Sequence, residues 1–551
     1  MRRSLDAAAL LAVLALGCNP VGVKPVEEST GGGCRAGERC SIKHTWLSTT
    51  ARLDLLFVID NSGSMADAQA KLAAGLDGLV DELMQTNVDL DLHVGFTTTD
   101  MGNPWCPDSD PERGALVLSS CRDRVAAGEF LFAGVDPPID GAAACTASCG
   151  LTDADLTIRP TTTWGDPEAK PRAWVELAGG QTNLPEAVDL RQALACFAPQ
   201  GIAGCGFESH LESMYSALVM ADEGVGANAG FLRDDARLAI VVLTDEADCS
   251  YNPAHEALFV SEKALWSDPD DPLPTSAVCW RAGVECVGDP SGYERCDAAN
   301  VGVDGSVGVA DEDAALHPVA RYVDYLNTIE NRRRMYDSGA EVQVTILGGV
   351  PEGYAAPEDL TYSAAGDPTH LDLFGVDPGC VDSEGAAALP PVRLRELAES
   401  LQIGDRVNLA SSCAADYTPA LTQLGAALRR LLPPACMPEC VADTDPDTDI
   451  LDPECVLTDT NAATGESTAL LPCDGTADDP SPPEGETSCF VYLVDPGGLT
   501  PTTADDLSAR CADYGWNLEF RIIRKAPLQA GMTTRVNCQL SDLPVLDCPD
   551  L

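Results

Sequence analysis

Positive charge is what this chain has least of. Lys and Arg total 34 against 87 Asp and Glu in 551 residues, a formal net charge of −53. No basic patch exists to neutralise phosphates, so nucleic acid is not an expected partner. The acidity favours solubility, divalent cations, and basic or cation-bridged partners. Aromatics make up only 5% of the chain and histidine occurs six times. None of those histidines lies in an H-E-x-x-H arrangement, and no G-x-S-x-G elbow, P-loop or dinucleotide fingerprint occurs in context. The chain is therefore not expected to be an enzyme. Apolar runs long enough to span a membrane are also missing. Hydrophobic residues still reach 45%, ample for real cores, and the length suggests two to four domains.

Cysteine, by contrast, is abundant: 23 residues, an odd number. This points to an oxidising compartment and a disulfide framework. Zinc is a poor reading, because no histidine lies at the matching distance from Cys145/Cys149 or Cys436/Cys440. The sequence-local pairing candidates are Cys34–Cys40, Cys145–Cys149 and Cys196–Cys205. Arg2 and Arg3 precede a short Leu/Ala segment that ends in LALGC, which reads as a processing segment. It resembles a bacterial lipoprotein signal, with Cys18 as the lipidated residue. Removing Cys18 leaves 22 cysteines, which can all pair. The expected mature protein is exported and held to the membrane by its N-terminal lipid alone. Asn19 after the cysteine favours the outer membrane or cell surface.

Residues 19–50, with glycine at positions 31–33, read as a tether. A globular unit is expected over 51–432. Its strands read at 53–59, 88–98, 237–244 and 341–347, the second half-buried or at an edge. Helices read at 66–84, 208–223, 314–336, 392–402 and 417–432. Residues 101–200 and 250–310 read as Cys-rich insertions, 433–485 as an acidic Cys-containing linker, and 486–551 as a small Cys-rich module containing β-structure. Strand–helix alternation predicts an α/β fold with a doubly wound, mostly parallel sheet.

The most informative stretch is LDLLFVIDNSGSM, residues 53–65. A buried apolar run ends in Asp60, followed by Ser62 and Ser64 on a turn. A carboxylate with two hydroxyls is a hard-oxygen donor set. It stands at the carboxyl end of a strand, where open α/β sheets bind ligands. The stretch resembles the von Willebrand factor A family, whose metal-ion-dependent adhesion site opens with D-x-S-x-S. The resemblance implies metal ligands at Asp60, Ser62, Ser64 and Asp245, the last in the TD pair that ends RLAIVVLT. It implies a divalent cation, Mg²⁺ foremost with Ca²⁺ or Mn²⁺ as alternatives. It also implies a protein partner that offers an acidic side chain to the metal, hence adhesion rather than catalysis.

The family's second-loop threonine has two competing counterparts. Thr182 stands in GGQTNLPEA, and Glu208 stands in GCGFESHL, which places Cys205 at the threonine position. Loop length favours Glu208. An envelope scaffold with a degenerate site remains the alternative. Asp245, Glu246 and Asp248 also form a candidate second cation group, although a solvated strand end explains them as well.

Overall fold

The computed structural model describes residues 50–548, except 85–88, 108, 164, 179–180, 336–339, 403–406, 433–434, 446, 449, 462–465 and 525–531. The leader, Cys18 and the Cys34–Cys40 pair lie outside the described residues, as does the tether up to its last residue. The fold is mixed α/β around a parallel-rich seven-stranded sheet. Its strands are β1 (Thr50–Ile59), β2 (Asp89–Thr98), β3 (Trp174–Ala178), β4 (Gln181–Thr182), β5 (Arg237–Leu243), β6 (Val342–Gly348) and β7 (Leu409–Ser411), in the order β7-β6-β5-β1-β2-β3-β4. All neighbours are parallel except β2–β3 and β3–β4.

Strand periodicity sorts the central side chains between two cores. Leu53, Leu55, Phe57 and Ile59 of β1 face one core, and Leu56 and Val58 face the other. In β5, Ala239, Val241 and Leu243 alternate likewise with Leu238, Ile240 and Val242. Helices α1 (Ala66–Met84), α2 (Leu190–Phe197) and α6 (Thr418–Leu431) contribute to the first core. Helices α3 (His210–Asp222), α4 (Val319–Arg333) and α5 (Val392–Ser400) contribute to the second. Buried on both faces, β5 is a continuous apolar run.

Several expectations need correction. Residues 101–200 are not wholly an insertion, since β3 and β4 extend the central sheet from within them. Strand β2 consequently lies inside the sheet rather than at its edge. Its alternating polar residues are covered: His93 is buried against Trp174 and Phe231. Two of the local disulfide candidates are also wrong. Cys145 pairs with Cys121, Cys149 with Cys196, and Cys205 with Cys106. Packing brings distant cysteines together, a proximity that chain spacing cannot reveal. All twenty described cysteines are paired, in ten disulfides.

Residues 433–485 do not form a linker throughout. Strands β8 (Cys455–Asn461) and β9 (Ser467–Pro472) join β10 (Ser488–Leu493), β11 (Glu519–Arg524) and β12 (Met532–Cys538) in a five-stranded sheet ordered β11-β10-β9-β8-β12. Cys455–Cys538 and Cys473–Cys489 staple it. These strands lack a clean alternation: Val456 and Leu471 are exposed while Asp459 and Thr460 are buried.

Candidate metal centre

Four chain segments meet at the carboxyl ends of β1, β2 and β5. Strands β1 and β5 are adjacent, and the backbone N–H of Asp60 donates to the Leu243 carbonyl at 3.0 Å. The sheet order reverses between these two strands, so the loops beyond them diverge and leave a crevice. The turn after β1 is closed by its own carboxylate: Asp60 Oδ1 accepts from the Ser62 N–H at 2.8 Å. Asp60 is fully buried, Ser62 is buried and Ser64 is exposed. Their hydroxyl oxygens stand 3.4 Å apart. Gln69, fully buried on α1, donates to the carbonyls of Asp60 and Gly201 at 2.8 and 2.7 Å. Gly204 has a steric reason: a Cβ there would meet Asn61 at 2.3 Å. The second loop therefore rests directly on the Asp60 turn.

That second loop carries Glu208. Its side chain is fully buried, with Oε2 accepting from the Thr99 hydroxyl at the end of β2 and Oε1 without a partner. Burial pushes its carboxyl well above the ordinary range, and the nearby charges of Asp60, Glu246 and Asp100 push the same way. Asp245, half-buried after β5, is raised to about 7 by burial and by Asp60, against a hydrogen bond from Ser64. Asp245 Oδ1 is likewise unpartnered. Glu246 is raised well above its usual value by burial, Asp60 and Asp245. Asp100 is satisfied locally, accepting from the N–H groups of Gly102 and Cys205 at 2.7 and 3.2 Å.

The structure thus brings Asp60, Ser62, Ser64, Asp245 and Glu208 together. It does not bring Thr182, which lies on β4 at the sheet edge three strands from β1, its hydroxyl accepting from the Leu184 N–H. Asp248 departs from the proposed Asp245–Glu246–Asp248 group. It turns into the protein, where Arg393 Nε donates to its Oδ2 at 2.9 Å. Burial alone would raise its carboxyl, but His210 and Arg393 hold it far below the usual range.

Sequence reasoning missed three contributors. His210 is fully buried between Asp60 and Asp248; burial lowers its pKa, but these two carboxylates prevail and raise it to about 9. Thr244 donates to Asp60 Oδ2 at 2.7 Å. Gln69 clasps the two loops. The only sequence signal for the first two was adjacency: His210 closes the Glu208 segment, and Thr244 precedes Asp245.

These residues fit a divalent cation. Buried Glu208 and half-buried Asp245 each keep an unpartnered carboxylate oxygen, the Ser62 and Ser64 hydroxyls stand 3.4 Å apart on the Asp60 turn, and all these donors are hard oxygens. Among the described residues, acidic or other ligand atoms of three side chains come within 4.8 Å of one another only at Asp495, Asp505 and Asp506 in the C-terminal part. The carboxylates around Asp60 are spaced more widely. That spacing suits a shell in which hydroxyls and water share the coordination, as Mg²⁺ tolerates.

No protein-family model and no curated protein matches the chain. Solved structures with some similarity include the pilus adhesin SpaC from Lactobacillus rhamnosus GG (8% identity, TM-score 0.26, 90% of this chain and 40% of that one). Another is the pilus adhesin RrgA from Streptococcus pneumoniae (10%, TM-score 0.27, 91% and 58%). A third is a von Willebrand factor type A protein from Catenulispora acidiphila (9%, TM-score 0.23, 92% and 67%). The chain spans 40% and 58% of the lengths of the two adhesins. At such scores the likeness carries no argument, and the reading of the site rests on its own geometry.

Proposed function

We propose that this chain is a von Willebrand factor A-type binding protein that engages a protein partner through a divalent cation. Asp60, Ser62, Ser64 and Asp245 hold the ion in this reading, and Glu208 takes the place of the family's threonine. The observation that carries it is the pairing deficit at the strand ends. Glu208 Oε1 is buried with no partner, and neither Lys nor Arg reaches Asp60, Asp245, Glu208 or Glu246 in any described ion pair. Buried carboxylates without a counter-ion are costly, so such acids either hold their protons or are completed by a cation. The ion supplies Lewis acidity and an exchangeable coordination position, which an acidic side chain of the partner fills. This is binding chemistry.

The reading places the protein outside the cytoplasm, lipid-anchored through Cys18 in the outer membrane or at the cell surface. Ten disulfides support an oxidising compartment. No helix among the described residues is long and apolar enough to cross a membrane.

Thermal unfolding of the chain in EDTA, then with Mg²⁺, Ca²⁺ or Mn²⁺, tests the proposal. A cation that binds only the folded state stabilises it by about 2.7 kcal/mol at one hundred times its Kd. The expected shift vanishes in Asp60→Ala and Asp245→Ala. No shift with any cation would favour the scaffold reading, for which the Cys205–Cys106 disulfide at the threonine position is the supporting observation.

A further inference from the structure

Behind the candidate ligand Asp60 lies a continuous line of buried polar groups. Thr244 Oγ1 donates to Asp60 Oδ2 at 2.7 Å, and His210 Nε2 stands 2.7 Å from the same hydroxyl. The Glu246 N–H donates to it as well, at 2.9 Å. A hydroxyl has one proton to give and two lone pairs to receive with. Thr244 gives its proton to Asp60, so both remaining contacts are donations to it. The proton on His210 Nε2 is thereby assigned, and it points toward the site. On the far side, His210 Nδ1 faces Asp248 Oδ1 at 3.7 Å. Asp248 is itself immobilised by the Leu211 N–H at 3.0 Å, Ser250 Oγ at 2.6 Å and Arg393 Nε at 2.9 Å. Asp60, Thr244 and His210 are fully buried, and Asp248 and Arg393 are almost so.

We infer that Thr244 and His210 are positioning residues for the cation. They fix the rotation of the Asp60 carboxylate and keep it a pure acceptor, with the Asp248 carboxylate, itself held by Arg393, facing His210 from behind as a charge contact. This inference rests on the divalent-cation reading above.

Three features separate this arrangement from ordinary packing. Thr244 Oγ1 donates to Asp60 Oδ2 and His210 Nε2 donates to Thr244 Oγ1, so the relay of donations runs toward Asp60. Asp60 Oδ1 is already held by the Ser62 N–H, so fixing Oδ2 removes the last torsional freedom of that carboxylate. The line also begins on α5 and ends at the strand-end crevice, so it joins the site to a rigid element of the second core. Groups that orient a metal ligand without touching the metal typically change its affinity 10–100-fold when removed.

The test uses isothermal titration of the full chain with Mn²⁺ alone and, separately, melting in EDTA. Thr244→Val is expected to raise the Mn²⁺ Kd about tenfold or more, and Thr244→Ser to restore it. His210→Gln, which keeps an amide near the imidazole position, is a second variant should Thr244→Val not fold. Its expected loss is several-fold. A merely structural role lowers the EDTA melting temperature of both variants and leaves the Kd unchanged, which overturns the inference while the metal reading stands. If the wild-type chain itself takes up no divalent cation, both readings fall together.

Discussion

Two buried aspartates, Asp54 in the middle of β1 and Asp60 just past its carboxyl end, are treated in opposite ways. Asp54 accepts from Arg233 Nε and from the Arg233 N–H, each at 2.8 Å, and from Arg333 Nη2 at 3.0 Å. Asp91 on β2 joins it, bound by Arg52 and Arg233. Asp60, six residues later, has no arginine. Its neighbours are Glu208, Asp245 and Glu246, with His210 as the one buried positive group. The same strand therefore carries an arginine-compensated charge cluster at its middle and leads into one that, among the described residues, has His210 but no arginine. A fold can bury an acid when it supplies the counter-ion itself. Where it does not, the acids hold their protons more tightly, as the raised carboxyls of Glu208, Asp245 and Glu246 do.

The largest test of this contrast is Asp54→Ala. It strands Arg233 and Arg333 in the protein and should cost about 3–5 kcal/mol of stability, read by urea denaturation. Asp60→Ala in EDTA should cost far less, because it removes a charge that had no compensating arginine. Equal losses at the two aspartates would erase the distinction.

The pH dependence sharpens it. His93, in the compensated cluster, is lowered to about 4 by burial and by Arg233. Its folded-state value lies below its unfolded one, so the unfolded chain binds the proton more readily between pH 6.5 and 4. Stability from this residue is present above pH 6.5 and is lost as the pH falls to about 4, by about 3 kcal/mol. His93→Gln should flatten that part of the stability curve.

The central sheet was largely legible because apolar periodicity dominates it. Helix 66–84 and strand 237–243 stand where the pattern put them. The D-x-S-x-S turn was legible for a related reason: a strand, a turn and a helix leave an unmistakable local order. What stayed hidden was set by long-range contact. Trp174–Ala178 joins the sheet only because β2 has a free edge to offer, and nothing local in 101–200 announces that. Cys205 finds Cys106 across 99 residues. His210 looked like any residue opening a helix, and its role depends on Thr244 and Asp248 approaching from another strand end.

Around Asp60, where no arginine is paired, the pH trend should have the opposite sign. Glu208 and Asp245 have folded-state values above their unfolded ones. In EDTA, the folded chain therefore binds more protons above the ordinary carboxylate range, and stability falls as the pH rises through it. Glu208→Gln should make that decline shallower, while weakening divalent binding about tenfold or more if Glu208 touches the ion. A steeper decline, or unchanged affinity, would remove Glu208 from the site.

The smallest expected effect decides between the two second-loop residues. Thr182 resembles the family's threonine in local sequence, yet it sits on a two-residue edge strand and its hydroxyl is engaged with Leu184. It is only partly buried, so Thr182→Ala should change stability by no more than about 0.5 kcal/mol. The Mn²⁺ Kd should not move at all, since three strand spacings, each about 4.8 Å, separate β4 from β1. Calorimetry of this variant beside Glu208→Gln sets a residue with the right local motif against one with the right position in the sheet. Position should win, because a cation is held by the oxygens that reach it, whatever motif surrounds them in the sequence.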